Sequence, residues 1–274
     1  MTGGILDAMR AAGLAPAKEI EIPADGKIHR YRVSGDKPSS VNGYFVLHSK
    51  PIMAGAFGSW KTGESHTWRE QNSKPLTAAE RAEQQRQFKA TQQARAVELA
   101  SVQASARERA AKLWATARPA NDAHPYLQRK HVQAIGIRQL RDMLVIPARD
   151  ANGRLHTLQF ISADGSKRFL TGGRIAGCYY AIGTPFDSLL VAEGYSSGAT
   201  IHLATGAAVA ICFSCGNLLP VARALRDKFP RLRLVICADN DSATPGNPGV
   251  THAKAAAMAV GGFLAVPKLP GVAS

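Results

Sequence analysis

The spacing of apolar positions changes three times along the chain. Lys27–Val33 (KIHRYRV) alternates charged and apolar residues, the period of a half-buried strand. Tyr44–His48 is a second apolar strand, and Asp25-Gly26 and Asn42-Gly43 are turn signals. Residues 1–75 therefore predict a small β-rich module. Within it Phe57, Trp60 and Trp68 stand among Lys61 and Arg69. Such aromatics either stack on bases or form a small core. Residues 76–120 carry no strand pattern. Thr77-Ala-Ala-Glu80 has capping-box spacing, and some forty residues rich in Ala, Gln, Arg and Glu follow before Pro119. They predict one helix of about 60 Å, or a helix pair, with a thin apolar stripe and a solvated face.

From 121 to 185 the period returns to two. Met143–Pro147, Leu155–Ile161 and Arg168–Leu170 are strands separated by Asp150-Ala-Asn-Gly153 and Asp164-Gly165, the pattern of consecutive hairpins. From 186 to 274 apolar runs alternate with helical stretches. Ser188–Ala192, Ala207–Phe213, Leu232–Ala238 and Gly262–Val266 are strands, with helices over 196–205, 218–229 and 249–260. Uninterrupted apolar strands are those buried on both faces, and a βαβαβαβ order predicts a parallel sheet with right-handed crossovers. The fold class is therefore α/β at the C-terminus and α+β overall.

Charge adds a partner to this layout. The 274 residues hold 34 Lys and Arg against 20 Asp and Glu, a net +14, with an isoelectric point near 10.0. Residues 1–185 carry 27 basic and 15 acidic residues (+12), and residues 186–274 carry 7 and 5 (+2). A basic body joined to a near-neutral unit fits a polyanion held by one part and worked on by the other. Apolar content of 45% excludes global disorder. The longest apolar runs fall short of the roughly 20 residues of a membrane span, and the start lacks a signal-peptide pattern, so a cytoplasmic location is expected. Cys212 and Cys215 form a single C-x-x-C without a second ligand pair, the mark of small buried residues more than of zinc.

The chemistry gathers at strand ends. Glu193 follows the first strand of the parallel unit in Ala192-Glu-Gly194, and Asp239 and Asp241 follow the third in Asp239-Asn-Asp241. Ligands of open α/β sheets bind beyond the carboxyl ends of the strands. If those two strands are neighbours, three hard oxygen donors converge, a set suited to Mg²⁺. Acids at strand ends also cap helices, and one D-x-D alone does not decide between the two roles.

The order and spacing of these acids make residues 188–267 resemble the Toprim domain of primases, topoisomerases, recombination mediators and some nucleases. The resemblance is stronger to Toprim primases of plasmids, conjugative elements and phages. It rests on His124-Pro-Tyr-Leu-Gln-Arg-Lys130, Leu144-Val-Ile-Pro147, Asp164-Gly-Ser-Lys-Arg-Phe-Leu170, Cys215-Gly-Asn-Leu218 and Asn247-Pro-Gly249. It implies primer synthesis on single-stranded DNA from ribonucleoside triphosphates with Mg²⁺ (or Mn²⁺), and no membrane partner. Glu193, Asp239 and Asp241 would be the catalytic and metal-binding residues. Lys167, Arg168 and Arg174, with Arg129 and Lys130, would hold template and nucleotide. Relatives continue into a further acidic motif and often a helicase region, so a replicative helicase is an expected partner. A single-strand-binding module without catalysis, or a Toprim nuclease, would use the same residues. Whether Glu193 is a metal ligand or a general base stays open.

Overall fold

The computed structural model describes residues 3–49, 52–59, 62, 64–70 and 77–267, which fall into two compact units, Met1–Glu98 and Leu99–Ser274. In the first unit, helix α1 (Gly3–Ala11) packs on an antiparallel sheet of β1 (His29–Tyr31), β2 (Gly43–His48), β3 (Ala54–Ser59) and β4 (Ser65–Arg69), in that spatial order. Ile5 and Met9, one helical turn apart, meet Tyr31, Phe45, Leu47 and Phe57 in its core. Phe57 is buried and stacks on His66, and Trp68 packs against the same core. These two aromatics are core residues. Trp60 and Lys61 lie outside the described residues.

Helix α2 (Ala78–Thr116) spans most of the predicted helical run. Val97, Leu99 and Val102 are exposed. The last turns differ. Ala106 and Ala110 are fully buried, and Ala110, Leu113 and Trp114 pack with Val145, Leu158 and Phe160 of a second sheet. The Arg138 guanidinium lies 4.5 Å above the Trp114 ring and donates to the Trp114 carbonyl.

That second sheet is antiparallel, in the order β5 (Arg118–Pro119), β6 (Arg138–Leu140), β7 (Met143–Arg149), β8 (Leu155–Ile161), β9 (Lys167–Phe169). The short helix α3 (Pro125–Lys130) precedes β6. The third sheet has the order β10 (Tyr180–Ile182), β12 (Ala208–Ile211), β11 (Ser188–Ala192), β13 (Arg233–Cys237), β14 (Phe263–Ala265). Its last four strands run parallel and β10 pairs antiparallel to β12. Helices α4 (Tyr195–Thr205), α5 (Leu218–Lys228) and α6 (Pro248–Ala259) are the crossovers. One face of this sheet packs on α5 and α6 through Leu189, Val191, Leu225 and Ala253. The other shares a core with α3, α4 and the antiparallel sheet through Tyr126, Ile146, Tyr195 and Ile211.

Candidate active site

Strand order decides where the acids meet. The chain leaves β11 for β12 on one side and returns to β13 on the other. The direction of winding reverses between β11 and β13, where an open sheet forms a crevice at its carboxyl edge. Val191 pairs with Ile236 across that junction, so the following Glu193 and Asp239 stand on either side of it. Gly194, in extended backbone, opens α4 without a side-chain cap. Lys167 Nζ would stand 3.8 Å from a Cβ placed there.

Glu193 is half-buried, and its carboxyl is pushed above the usual carboxylate range. Burial is the largest cause, and the charges of Asp239 and Asp241 add to it. The Cys215 backbone N–H and the Lys167 charge oppose the shift. Glu193 and Asp239 are half-buried and Asp241 is exposed.

The Asp239–Asp241 loop is braced by Asn247. Its Oδ1 accepts the Asp241 N–H at 3.0 Å, and its Nδ2 donates to Asn240 Oδ1 at 2.9 Å. Asn247 also caps α6. Gly249 brings the start of α6 against the loop, since a Cβ there would lie 2.2 Å from the Asp239 carbonyl oxygen. Ser197 Oγ donates to Asp239 Oδ1 at 3.3 Å.

Opposite the acids is a cationic wall. His124 Nδ1 accepts the Tyr126 N–H and caps α3, while Tyr126 and Leu127 are buried beneath it. This anchoring leaves Arg129 and Lys130 exposed on the outer turn. With Lys167, Asp164 and Gly165 they line a cleft of about 420 Å³ whose other side is Gly194, Ser196, Ser197 and Asp239.

The Toprim domain family matches residues 188–270. The C-terminal part of the chain is a Toprim domain. Two curated proteins of Escherichia coli, both named DNA primase TraC, are similar over 93% of this chain, at 36% and 35% identity. The chain spans 19% and 25% of their lengths. Among solved structures, a DnaG primase catalytic domain bound to single-stranded DNA is similar with a TM-score of 0.40 at 14% identity, over 63% of this chain and 73% of that one. The primase fragment of the bacteriophage T7 primase-helicase gives 0.39 at 14%, over 57% and 68%.

Toprim domains generally depend on a divalent metal ion. Among the described residues no group of three His, Cys, Asp or Glu is gathered closely enough to enclose one. The donor chemistry fits an open site. All three groups are hard oxygen donors, and the crowding that raises Glu193 is what a cation relieves. An ion of the Mg²⁺ kind takes one or two carboxylates and completes its shell with water and phosphate.

Two of the basic residues named from sequence are directed away from the Toprim crevice. Successive residues of a strand face opposite sides. Lys167 lines the cleft, and Arg168 lies over the Phe160 ring, beside Met143, in a separate groove with Leu113, Leu140 and Arg141. Arg174 Nη2 lies 3.2 Å from Asp150 Oδ2 and 2.9 Å from His156 Nε2, so it is committed to an internal network. Ser197 and Asn247 carry hydrogen bonds of the acidic loop, and a single sequence marks them only through Asn247-Pro-Gly249.

Proposed function

We propose that the chain is the core of a DNA primase that makes short RNA primers on single-stranded DNA, by metal-dependent nucleotidyl transfer, in plasmid or phage replication or conjugation. In this reading residues 121–185 hold the template and residues 186–274 carry the reaction, joined to the module of residues 1–75 by the segment 76–120 that contains α2. The observation that carries it is the cleft in which Arg129, Lys130 and Lys167 face Asp239 and Gly194, the residue after Glu193. Phosphoryl transfer asks for positioning and charge neutralisation more than for covalent chemistry.

Lys167, Arg129 and Lys130 hold the triphosphate and the template backbone through charge-assisted hydrogen bonds. Glu193, Asp239 and Asp241 hold Mg²⁺ or Mn²⁺, which when bound lowers the pKa of the primer hydroxyl and stabilises the leaving pyrophosphate. Ser197 and Asn247 keep the Asp239 loop in register with the cleft. The absence of a Cβ at Gly194 leaves room for a phosphate between Lys167 and the sheet edge. The work belongs in the bacterial cytoplasm, beside a replicative helicase.

The test mixes the 274-residue chain with circular single-stranded DNA, labelled ribonucleotides and Mg²⁺. Wild type is expected to form short RNA, and Asp239→Asn to form none while still binding DNA. Cleavage of the DNA in place of RNA synthesis would turn the reading to a nuclease. DNA binding with no product from wild type would turn it to a binding module.

A further inference from the structure

The turn between β12 and α5 is held by a side chain that no role above uses. Asn217 closes the single 3-10 turn Cys215–Asn217 and is 5% exposed. Its Nδ2 donates to the Cys212 carbonyl at 2.8 Å, at the end of β12, and lies 2.9 Å from the Cys178 carbonyl and 3.2 Å from that of Ile175. Its Oδ1 accepts the Gly177 N–H at 2.9 Å. A carboxamide has two N–H donors and a carbonyl oxygen, and both ends are engaged inward. One side chain therefore ties the turn after β12 to the segment 175–178, which leads from the antiparallel sheet into β10.

The other side of the same turn faces Glu193. The Phe213 N–H donates to the Glu193 carbonyl at 2.7 Å, and the Cys215 backbone amide beside the carboxylate favours its charged form. Phe213 is buried in the left-handed region at φ 74°, and its ring meets Phe169, two residues after Lys167, edge-on at 5.5 Å. A bulky residue holds such a backbone only where its surroundings over-determine it. Asn217 on one side and Phe169 on the other supply that constraint.

We propose that Asn217 is a positioning residue that sets the Glu193 carboxylate against the Lys167-bearing sheet. It does so by fixing the turn whose Phe213 N–H holds the Glu193 backbone carbonyl. The inference rests on Glu193 being a working carboxylate of the cleft.

Cys215 supplies a reporter, because it is a free thiol, partly exposed, in the turn itself. Four forms of the chain are compared: wild type, Asn217→Ala, Glu193→Gln, and Leu144→Ala as a core truncation in β7. Modification of Cys215 by a disulfide reagent is followed by peptide mass, Mn²⁺ affinity by titration, and primer synthesis by product formation. Asn217→Ala is expected to speed Cys215 modification about tenfold and to lower Mn²⁺ affinity and synthesis about 10- to 100-fold, the range for residues that orient metal ligands. Leu144→Ala is expected to melt earlier with all three readouts within about twofold of wild type. If Asn217→Ala does not fold, Asn217→Ser, which keeps a donor for Cys212, carries the same test. Readouts of the Asn217 variant within about twofold of wild type, or losses equalled by Leu144→Ala, would overturn the proposal. If Glu193→Gln is inactive at the same time, only the role of Asn217 is lost. Full Mn²⁺ affinity and synthesis in Glu193→Gln would overturn the reading of the site and the proposal with it.

Discussion

Replacing Gly249 by Ala separates helix stability from the geometry of the acidic loop. Gly249 is the second residue of α6. Helix propensity alone makes Gly249→Ala stabilising by about 0.8–1 kcal/mol. The structure opposes it, because the new methyl would lie 2.2 Å from the Asp239 carbonyl oxygen and 3.0 Å from Asp241 Oδ2. Carbon–oxygen contacts settle at about 3.3–3.6 Å, so helix and loop must part by about 1 Å. Overpacking of this size costs about 1–3 kcal/mol, which cancels or exceeds the propensity gain and leaves the melting temperature unchanged or modestly lower. The effect on the reaction is much larger. A displacement of about 1 Å in a positioned group lowers turnover about 100-fold, or about 2.7 kcal/mol of barrier. The assay is primer synthesis at saturating template, with a thermal melt of the same sample. Wild-type turnover in Gly249→Ala, or a loss explained wholly by unfolded protein, would refute the claim that close packing of α6 sets the Asp239–Asp241 loop.

Lys167→Ala is expected to lower synthesis about 10- to 100-fold and to reduce the salt slope of DNA binding by about one, as for a lost phosphate contact of about 1.5–3 kcal/mol. Arg168→Ala, on the other face of β9, is expected to change synthesis by about twofold at most, and equal losses would refute the division of the two faces. The His156 network makes stability fall with acid. Burial is the main cause holding His156 below its ordinary value of 6.5, opposed by Asp150 and aided by Arg174 and Arg107. Burial pushes Asp150 up, but hydrogen bonds from His156 and the Arg154 and Asn152 N–H groups bring it below 3.8. The unfolded chain therefore binds protons first as pH drops below 6.5, and again below 3.8, and each contribution is present above that value and lost beneath it. Melting temperatures between pH 8 and pH 5 should fall in wild type and less in His156→Gln, and parallel curves would contradict this. Tyr195→Phe removes a hydroxyl that donates to the Gln133 carbonyl and accepts the Ile135 N–H, both at 2.8 Å. Denaturant melts should show a loss of about 1–3 kcal/mol, and no loss would mean that these groups find other partners.

The Toprim part is legible in sequence because its strands announce themselves physically. Leu189–Ala192 and Leu234–Ala238 are apolar without interruption, and each is followed by an acid where the chain turns into a helix or loop. Their adjacency, on which the meeting of Glu193 and Asp239 depends, comes from the winding order and is not written in either strand. Strand β10 escapes notice because three residues, Tyr180–Ile182, show no period. Helix α1 begins with two glycines, which hide the Ile5 and Met9 pair. The docking end of α2 reads as solvated because its buried contacts are Ala106 and Ala110, small residues that add little to an apolar stripe. Lys167 and Arg168 look like one basic patch until the period of the strand is applied to them. Asn217 and Asn247 are ordinary polar residues by type, and only the backbone groups around them reveal their work.

The proposed reaction joins ribonucleotides at the crevice between β11 and β13. It is tested most directly by measuring RNA product and DNA affinity together for wild type and Glu193→Gln, with Mg²⁺ present. Template-dependent RNA is expected from wild type, none from Glu193→Gln, and the same DNA affinity for both. RNA synthesis by Glu193→Gln at the wild-type rate would contradict it.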